Sequence, residues 1–318
     1  MITDRIDAIT HLPPERYNTI VPAPKSVKIE LTARCNFSCS FCARGDKLRQ
    51  QGDMDREFYN RIIREMRNSG VEELGLFYLG ESFLCKWLPD AIREAKEAGY
   101  PYVFLTTNGS LATAKRTEEC FRAGLDSLKF SFNFSDRDQF EEVTNVKSKL
   151  WDDVRENILN ARVSRDHVEA LTGHRCGLYA SYIQYDGEQA ERMEPTIAWL
   201  RDIVDEVYAL PLYNQAGYCT KKIADSQETW LPTAGNMGRV GGLVAPLPCW
   251  ALLSEGHLSF DGHLTGCCFS HTPDFDFGDL KSMSFMEAWN SPAAQVLREA
   301  NLKKDVTGTA CEHCVAYS

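Results

Sequence analysis

Cys35, Cys39 and Cys42 stand in the spacing C-x3-C-x2-C within a chain of 318 residues that holds 12 cysteines. Three thiolates on one short segment can each bind an iron of a cubane [4Fe–4S] cluster. The fourth iron then stays open, as it must in a cluster that binds a ligand instead of only carrying an electron. A zinc site would require a fourth Cys or His nearby, yet the closest histidine, His11, lies upstream.

A second group gathers near the C-terminus: Cys249, the tandem pair Cys267-Cys268, and Cys311 and Cys314 in Cys-Glu-His-Cys. A C-x2-C pair distant from other cysteines is typically a metal knuckle, and four thiolates close either zinc or an iron–sulfur cluster. The histidines His257, His263, His271 and His313 leave room for a mixed ligand set. Five thiols for four positions leave one spare. Neighbouring residues of a strand face opposite ways, which would keep Cys267 or Cys268 off a shared centre. The alternative places both on a distorted turn and frees Cys249.

The elements that must position these groups follow from patterning. Ser26 to Thr32 alternates apolar and polar residues and reads as a strand. The first cysteine cluster therefore lies on the loop leaving a strand's C-terminal end, where α/β barrels place their chemistry. Asp55 caps a helix that carries Phe58, Ile62, Ile63 and Met66 on one face and stops near Gly70. Leu74–Leu79, Tyr102–Thr106, Leu125–Phe132, Gly177–Gln184 and Glu206–Leu210 read as further strands with helical patterns between them. This alternation predicts the α/β class, a partial (β/α)6 TIM barrel over 21–215 after an N-terminal extension, 1–20. From 216 to 318 the rhythm stops, and a small C-terminal domain is expected. It contains two strands around Asp261-Gly262 and a helix over Ser284–Glu299.

The cysteine loop, with the aromatic Phe41 before its third cysteine, resembles the signature of the radical S-adenosylmethionine (SAM) superfamily. That resemblance implies that the open iron chelates SAM, and that one electron then yields methionine and a 5′-deoxyadenosyl radical that takes a substrate hydrogen. Leu79-Gly80-Glu81-Ser82 resembles the family's glycine-rich motif, with Leu79 and Ser82 where glycine and proline are usual. By the same resemblance Phe41, Gly80, Glu81, Thr107, Asn108, Ser131 and Asn133 are expected SAM contacts. The C-terminal part resembles the twitch domain, a shortened SPASM domain. Cys249, then Gly262 with four residues between it and Cys267, matches its pattern, as do Gly278-Asp279-Leu280 and Ala288-Trp289-Asn290-Ser291-Pro292. The twitch pattern makes Cys249, Cys267, Cys311 and Cys314 the ligands of one auxiliary [4Fe–4S] cluster. A further likeness, to aminoglycoside epimerases of this group, instead implies that Cys249 is a hydrogen-atom donor, with Cys267, Cys268, Cys311 and Cys314 as ligands. A thiolate bound to iron has no S–H to give, so the two assignments exclude each other.

Charge and length point to the substrate. The formal net charge is −10, from 45 acidic and 35 basic residues. This disfavours nucleic acid and suits a polycationic partner. Only 34 residues precede Cys35, too few for the peptide-recognition module of peptide-modifying relatives, so the expected substrate is a small molecule of the aminoglycoside class. Two outcomes compete. A dehydrogenase would oxidise a hydroxyl to a ketone; an epimerase would return hydrogen to the opposite face from a thiol, for which Cys85, Cys120, Cys176, Cys219, Cys249 and Cys268 are candidates. A non-catalytic iron–sulfur protein is the third alternative. An external one-electron reductant such as a flavodoxin or ferredoxin is implied. The longest mainly apolar stretch, Gly241–Leu253, is broken by two prolines and is shorter than the ~20 residues of a membrane span. With no secretory pattern at the N-terminus, a cytoplasmic location is expected.

Overall fold

The computed structural model describes residues 1–43, 50–184, 187–218 and 247–314. A helix, α1 (Ile2–Thr10), precedes six strands with helices between them: β1 (Ser26–Ile29), α2 (Arg56–Asn68), β2 (Glu73–Gly75), α3 (Leu88–Glu97), β3 (Tyr102–Thr107), α4 (Ala114–Arg122), β4 (Ser127–Ser131), α5 (Arg137–Thr144), α6 (Leu150–Thr172), β5 (Gly177–Ile183), α7 (Gly187–Arg201) and β6 (Glu206–Leu210). All neighbouring pairs from β1 to β6 are parallel, the arrangement that helical crossovers produce.

The local signals act as expected at α2. The Asp55 carboxylate accepts a hydrogen bond from Phe58 N–H at 2.8 Å, and Phe58, Ile62, Ile63 and Met66 are buried on one face. Gly70 then takes φ +109, a left-handed conformation that ends the helix. The apolar run Leu74–Leu79 proves a poorer guide. Only Glu73–Gly75 pairs as a strand, with one further rung from Leu76 N–H to Phe104 O. Phe77 still packs on Phe104 of β3, but the Tyr78 hydroxyl already reaches Cys267 O in the C-terminal half, and an apolar run alone does not mark where a ladder ends. Strand four is likewise shorter than expected, Ser127–Ser131, and strand five ends at Ile183.

The N-terminal helix lies at the end of the strands opposite the cysteine loop. Glu206 of β6 accepts hydrogen bonds from Ile2 N–H and Thr3 N–H at 2.9 and 3.4 Å, which satisfies free donors of the first turn of α1. Arg5 pairs with Glu73 at 2.8 Å and stacks 3.4 Å from the centre of the Tyr102 ring.

The C-terminal half contributes α8 (Trp250–Ser254), β7 (Glu255–Leu258), β8 (His263–Thr265), β9 (Asp276–Asp279), α9 (Phe285–Trp289) and α10 (Pro292–Leu302). The single helix expected over Ser284–Glu299 is two. Ser291 caps α10, with Pro292 in its first turn, because proline can start a helix but not continue one. β7 lies parallel to β1, with Ser26 opposite Glu255 and Lys28 opposite His257. The result is one nine-stranded sheet in the order β6-β5-β4-β3-β2-β1-β7-β8-β9. Among the described residues, no helix is long and apolar enough to cross a membrane.

Candidate functional site

The loop after β1 carries Cys35, Cys39 and Cys42, all half-buried. Its path is fixed by backbone contacts to elements that follow it in the chain. Ser38 N–H and Ser40 N–H donate to Thr144 O and Val143 O at the end of α5, at 3.0 and 2.8 Å, and Cys42 N–H closes a turn on Cys39 O at 3.0 Å. Phe37 packs edge-on against Phe140, 5.6 Å between ring centres. On the other side, Glu81 N–H donates to Arg34 O at 2.8 Å. Gly80 is needed for this approach, since a Cβ there would stand 2.0 Å from Thr32 O and 2.8 Å from Arg34 O.

The expected SAM contacts separate into two kinds. Phe41, Gly80, Glu81, Thr107, Asn108 and Ser131 line a single cavity of about 440 Å³ that also takes in Cys35, Cys39 and Cys42; Asn133 is buried and is not part of that lining. Glu81, however, is 2% exposed, and its carboxylate accepts hydrogen bonds from Thr107 Oγ1 (2.8 Å), Phe83 N–H (3.0 Å) and Asn108 N–H (2.8 Å). Burial raises its pKa against the opposing pull of those donors. Glu81 thus ties the end of β3 to the cluster loop. Asn108 then directs its side-chain N–H toward Asn36 Oδ1 at 3.0 Å and toward Cys35 Sγ at 4.0 Å.

Patterning did not reveal the rest of the wall. Lys28, Lys129, Tyr208, Tyr213, Trp250, Glu255 and Phe269 also line the cavity. Their signal was present as polar or aromatic residues on the inward parity of β1, β4 and β6. Lys28 pairs with Glu255 at 2.8 Å. Burial would raise the Glu255 carboxyl, but Lys28 and His257 outweigh it and hold the group at about 2. Burial lowers Lys129 to about 8.

The second cysteine group converges. Cys311 and Cys314 are joined by a turn, with Cys314 N–H donating to Cys311 O at 3.0 Å. Asn301 accepts from Cys249 N–H at 3.1 Å and directs its amide to Cys311 Sγ at 3.8 Å. Burial pushes the Cys267 and Cys268 thiols well above their usual range and Cys311 up to about 12, and the proximity of Cys249 raises each of the three further. A set of buried and half-buried thiols that oppose one another's ionisation fits a cationic centre, which would hold them as thiolates. Among the described residues no three His, Cys, Asp or Glu side chains close on one ion; in a cubane each cysteine binds its own iron. Cys268 reaches the main cavity, whereas Cys249 adjoins the cavity-lining Trp250. Tyr78, immediately before the glycine-rich segment, grips the tandem turn: its hydroxyl donates to Cys267 O at 2.8 Å and accepts from Ser270 N–H at 3.2 Å.

The remaining thiols lie elsewhere. Cys85, Cys120 and Cys176 are buried in the hydrophobic core, and burial pushes Cys85 to about 11 and Cys120 to about 12. Cys219 lies outside the described residues. Of the histidines, His263 pairs with Asp276 at 2.7 Å, His257 lies beside Glu255 at 3.2 Å, and His271 meets Gln215 at 3.1 Å.

Comparison with known proteins finds matches for both cysteine-bearing parts of the chain. A sequence model of the radical SAM superfamily matches residues 29–173, and one of an iron–sulfur cluster-binding domain, SPASM, matches 249–315. A GTP 3′,8-cyclase of Chlorobaculum tepidum is 31% identical over 119 residues, 37% of this chain and 36% of its own length. A PqqA peptide cyclase of Streptomyces rochei is 33% identical over 117 residues, 36% of this chain and 32% of its own length. The chain therefore spans well under half of either relative. Among solved structures, BtrN in complex with AdoMet and 2-DOIA superposes with a TM-score of 0.59 at 15% identity, covering 91% of this chain and 92% of BtrN. Streptococcus suis SuiB bound to precursor peptide SuiA gives 0.64 at 15% identity, covering 94% of this chain and 71% of SuiB.

Proposed function

Because the chain carries a radical SAM domain followed by an iron–sulfur cluster-binding SPASM domain, and is thus an enzyme that uses SAM and iron–sulfur clusters, we propose that it is an epimerase. In this reading it inverts one C–H stereocentre of an aminoglycoside, as neomycin C epimerase does in forming neomycin B. When bound, the first [4Fe–4S] cluster and SAM supply a 5′-deoxyadenosyl radical that removes the substrate hydrogen. The chain's own part is to bind a polycation and to return a hydrogen atom to the opposite face. The S–H bond is weaker than the C–H bond formed, so the return from a thiol is downhill. The resulting thiyl radical regains one electron from an external one-electron reductant, such as a flavodoxin or ferredoxin, and one proton.

One observation carries this reading: the cavity that takes in Cys35, Cys39 and Cys42 also reaches a C-terminal thiol, Cys268, and Trp250, the chain neighbour of the buried Cys249. An S–H able to give up a hydrogen atom at the radical cavity is what inversion requires and what ketone formation does not. Tyr208, Tyr213, Trp250 and Phe269 offer faces for sugar rings and ammonium groups, and the net charge of −10 attracts a polycation. Cys249 is taken as the donor, with Cys267, Cys268, Cys311 and Cys314 holding the auxiliary cluster. The position of Cys268 in the cavity wall favours a second assignment, in which Cys268 gives the hydrogen and Cys249 is the fourth ligand.

Anaerobic turnover in deuterated water with a panel of aminoglycosides tests both levels. Epimerisation places one deuterium at the inverted carbon; a ketone without solvent label would overturn it in favour of the dehydrogenase. Cys249→Ala is expected to keep full iron content and SAM cleavage while inversion ceases. If Cys249→Ala instead loses iron and Cys268→Ala shows the donor phenotype, the second assignment holds.

A further inference from the structure

Beyond β6 the chain takes three successive left-handed residues, Gln215, Ala216 and Gly217, with φ of +50, +59 and +92. Two of these carry side chains, and L-residues in this region persist where surrounding contacts impose it. The contacts here reach both cysteine groups. Gln215 Nε2 donates to Phe41 O at 2.9 Å and its Oε1 accepts from Ala43 N–H at 3.0 Å. One amide thus fastens the peptide groups on both sides of Cys42. The same Oε1 accepts from His271 Nε2 at 3.1 Å, on the turn that follows Cys267-Cys268.

The residues around it bind the other side. Asn214 Nδ2 donates to the backbone carbonyl of His313, between Cys311 and Cys314, at 2.8 Å. Gly217 passes so near that a Cβ would lie 2.7 Å from that of His313. Tyr213 and Phe269 rings stand 5.3 Å apart, and the Tyr218 and Thr272 hydroxyls share a hydrogen bond of 2.8 Å. Residues 213–218 therefore form a strap anchored at once to the loop of Cys42, the turn after Cys268 and the Cys311–Cys314 turn.

We propose that Gln215 is a positioning residue for the N-terminal cluster, holding Cys42 through the amide contacts to Phe41 and Ala43, and that its bond to His271 makes this geometry depend on the auxiliary-cluster turn. The inference rests on the two cluster domains and not on the epimerase reading. Outer contacts of this kind commonly change metal affinity or activity by about tenfold or more.

The test uses the anaerobically reconstituted holoenzyme and reads each cluster by electron paramagnetic resonance, with and without SAM. Gln215→Ala is expected to alter the N-terminal cluster signal and weaken its response to SAM by about tenfold in SAM concentration, with the auxiliary signal unchanged. Gln215→Glu still accepts from Ala43 and His271 but sets a carboxylate oxygen against the Phe41 carbonyl, so it should disturb the N-terminal signal at least as much as Gln215→Ala. His271→Ala should shift the N-terminal signal in the same direction by less. If Gln215→Ala fails to fold, the Glu and His271 variants decide. A wild-type N-terminal spectrum and SAM response in either the Gln215→Ala or the Gln215→Glu protein would overturn the proposal, as would an effect of His271→Ala on the auxiliary signal alone.

Discussion

A carboxylate that already accepts three hydrogen bonds from its own chain has little capacity left for a ligand, and Glu81 is such a group. It stands in the glycine-rich segment at the position expected to meet SAM, yet its oxygens face Thr107, Phe83 and Asn108. All three partners donate, so an amide in its place would turn an N–H against a donor. Glu81→Gln is expected to destabilise the fold by about 1–3 kcal/mol, measured by chemical denaturation; an unchanged midpoint would mean that the network contributes nothing. The segment itself was legible because its signal is local, like the C-x3-C-x2-C spacing. The inward turn of Glu81 was not, for its partners Thr107 and Asn108 are supplied by the next strand. Gln215 was invisible for the same reason: it lies 174 residues from Phe41, and nothing in the identity of a lone glutamine marks it.

At the scale of elements, the βα alternation was readable because each strand and helix announces itself over a few residues. Boundaries were not, as β2 and the split between α9 and α10 show. The N-terminal extension was assigned no element, although Ile2, Ile6 and Ile9 fall at helical spacing and Ile2 and Ile9 are buried. What makes α1 stable is its partner: Glu206, from the far end of the barrel, serves as the acceptor for its first N–H groups. Replacing Glu206 by Ala should cost about 0.5–2 kcal/mol, the usual worth of such a cap. The expected readout is a lowered unfolding midpoint with unchanged iron content, because the cysteine loop lies at the opposite strand ends. A fall in iron content would show that α1 does more than close the barrel.

For the whole molecule, the sequence shows where the barrel rhythm stops but not that the next strand returns to β1. That pairing joins Ser26–Ile29 to Glu255–Leu258, and only a completed barrel edge creates the vacancy β7 fills. The Lys28–Glu255 pair spans this seam at 2.8 Å, with side chains 19% and 3% exposed. Removing one partner of a buried pair costs up to about 3–5 kcal/mol, and here His257, 3.2 Å from Glu255, remains beside the carboxylate. Lys28→Ala is expected to show that loss in anaerobic denaturant titrations at neutral pH, while an effect below 1 kcal/mol would mean that the pair is screened like a surface ion pair.

A parallel ladder shared by both cysteine-bearing halves has a mechanical corollary. The halves cannot hinge apart without breaking the backbone bonds between Ser26–Ile29 and Glu255–Leu258, so this ladder fixes the spacing of the two cysteine groups. Any opening of the cavity therefore has to come from loops and helix ends at its rim, with this spine of parallel strands intact.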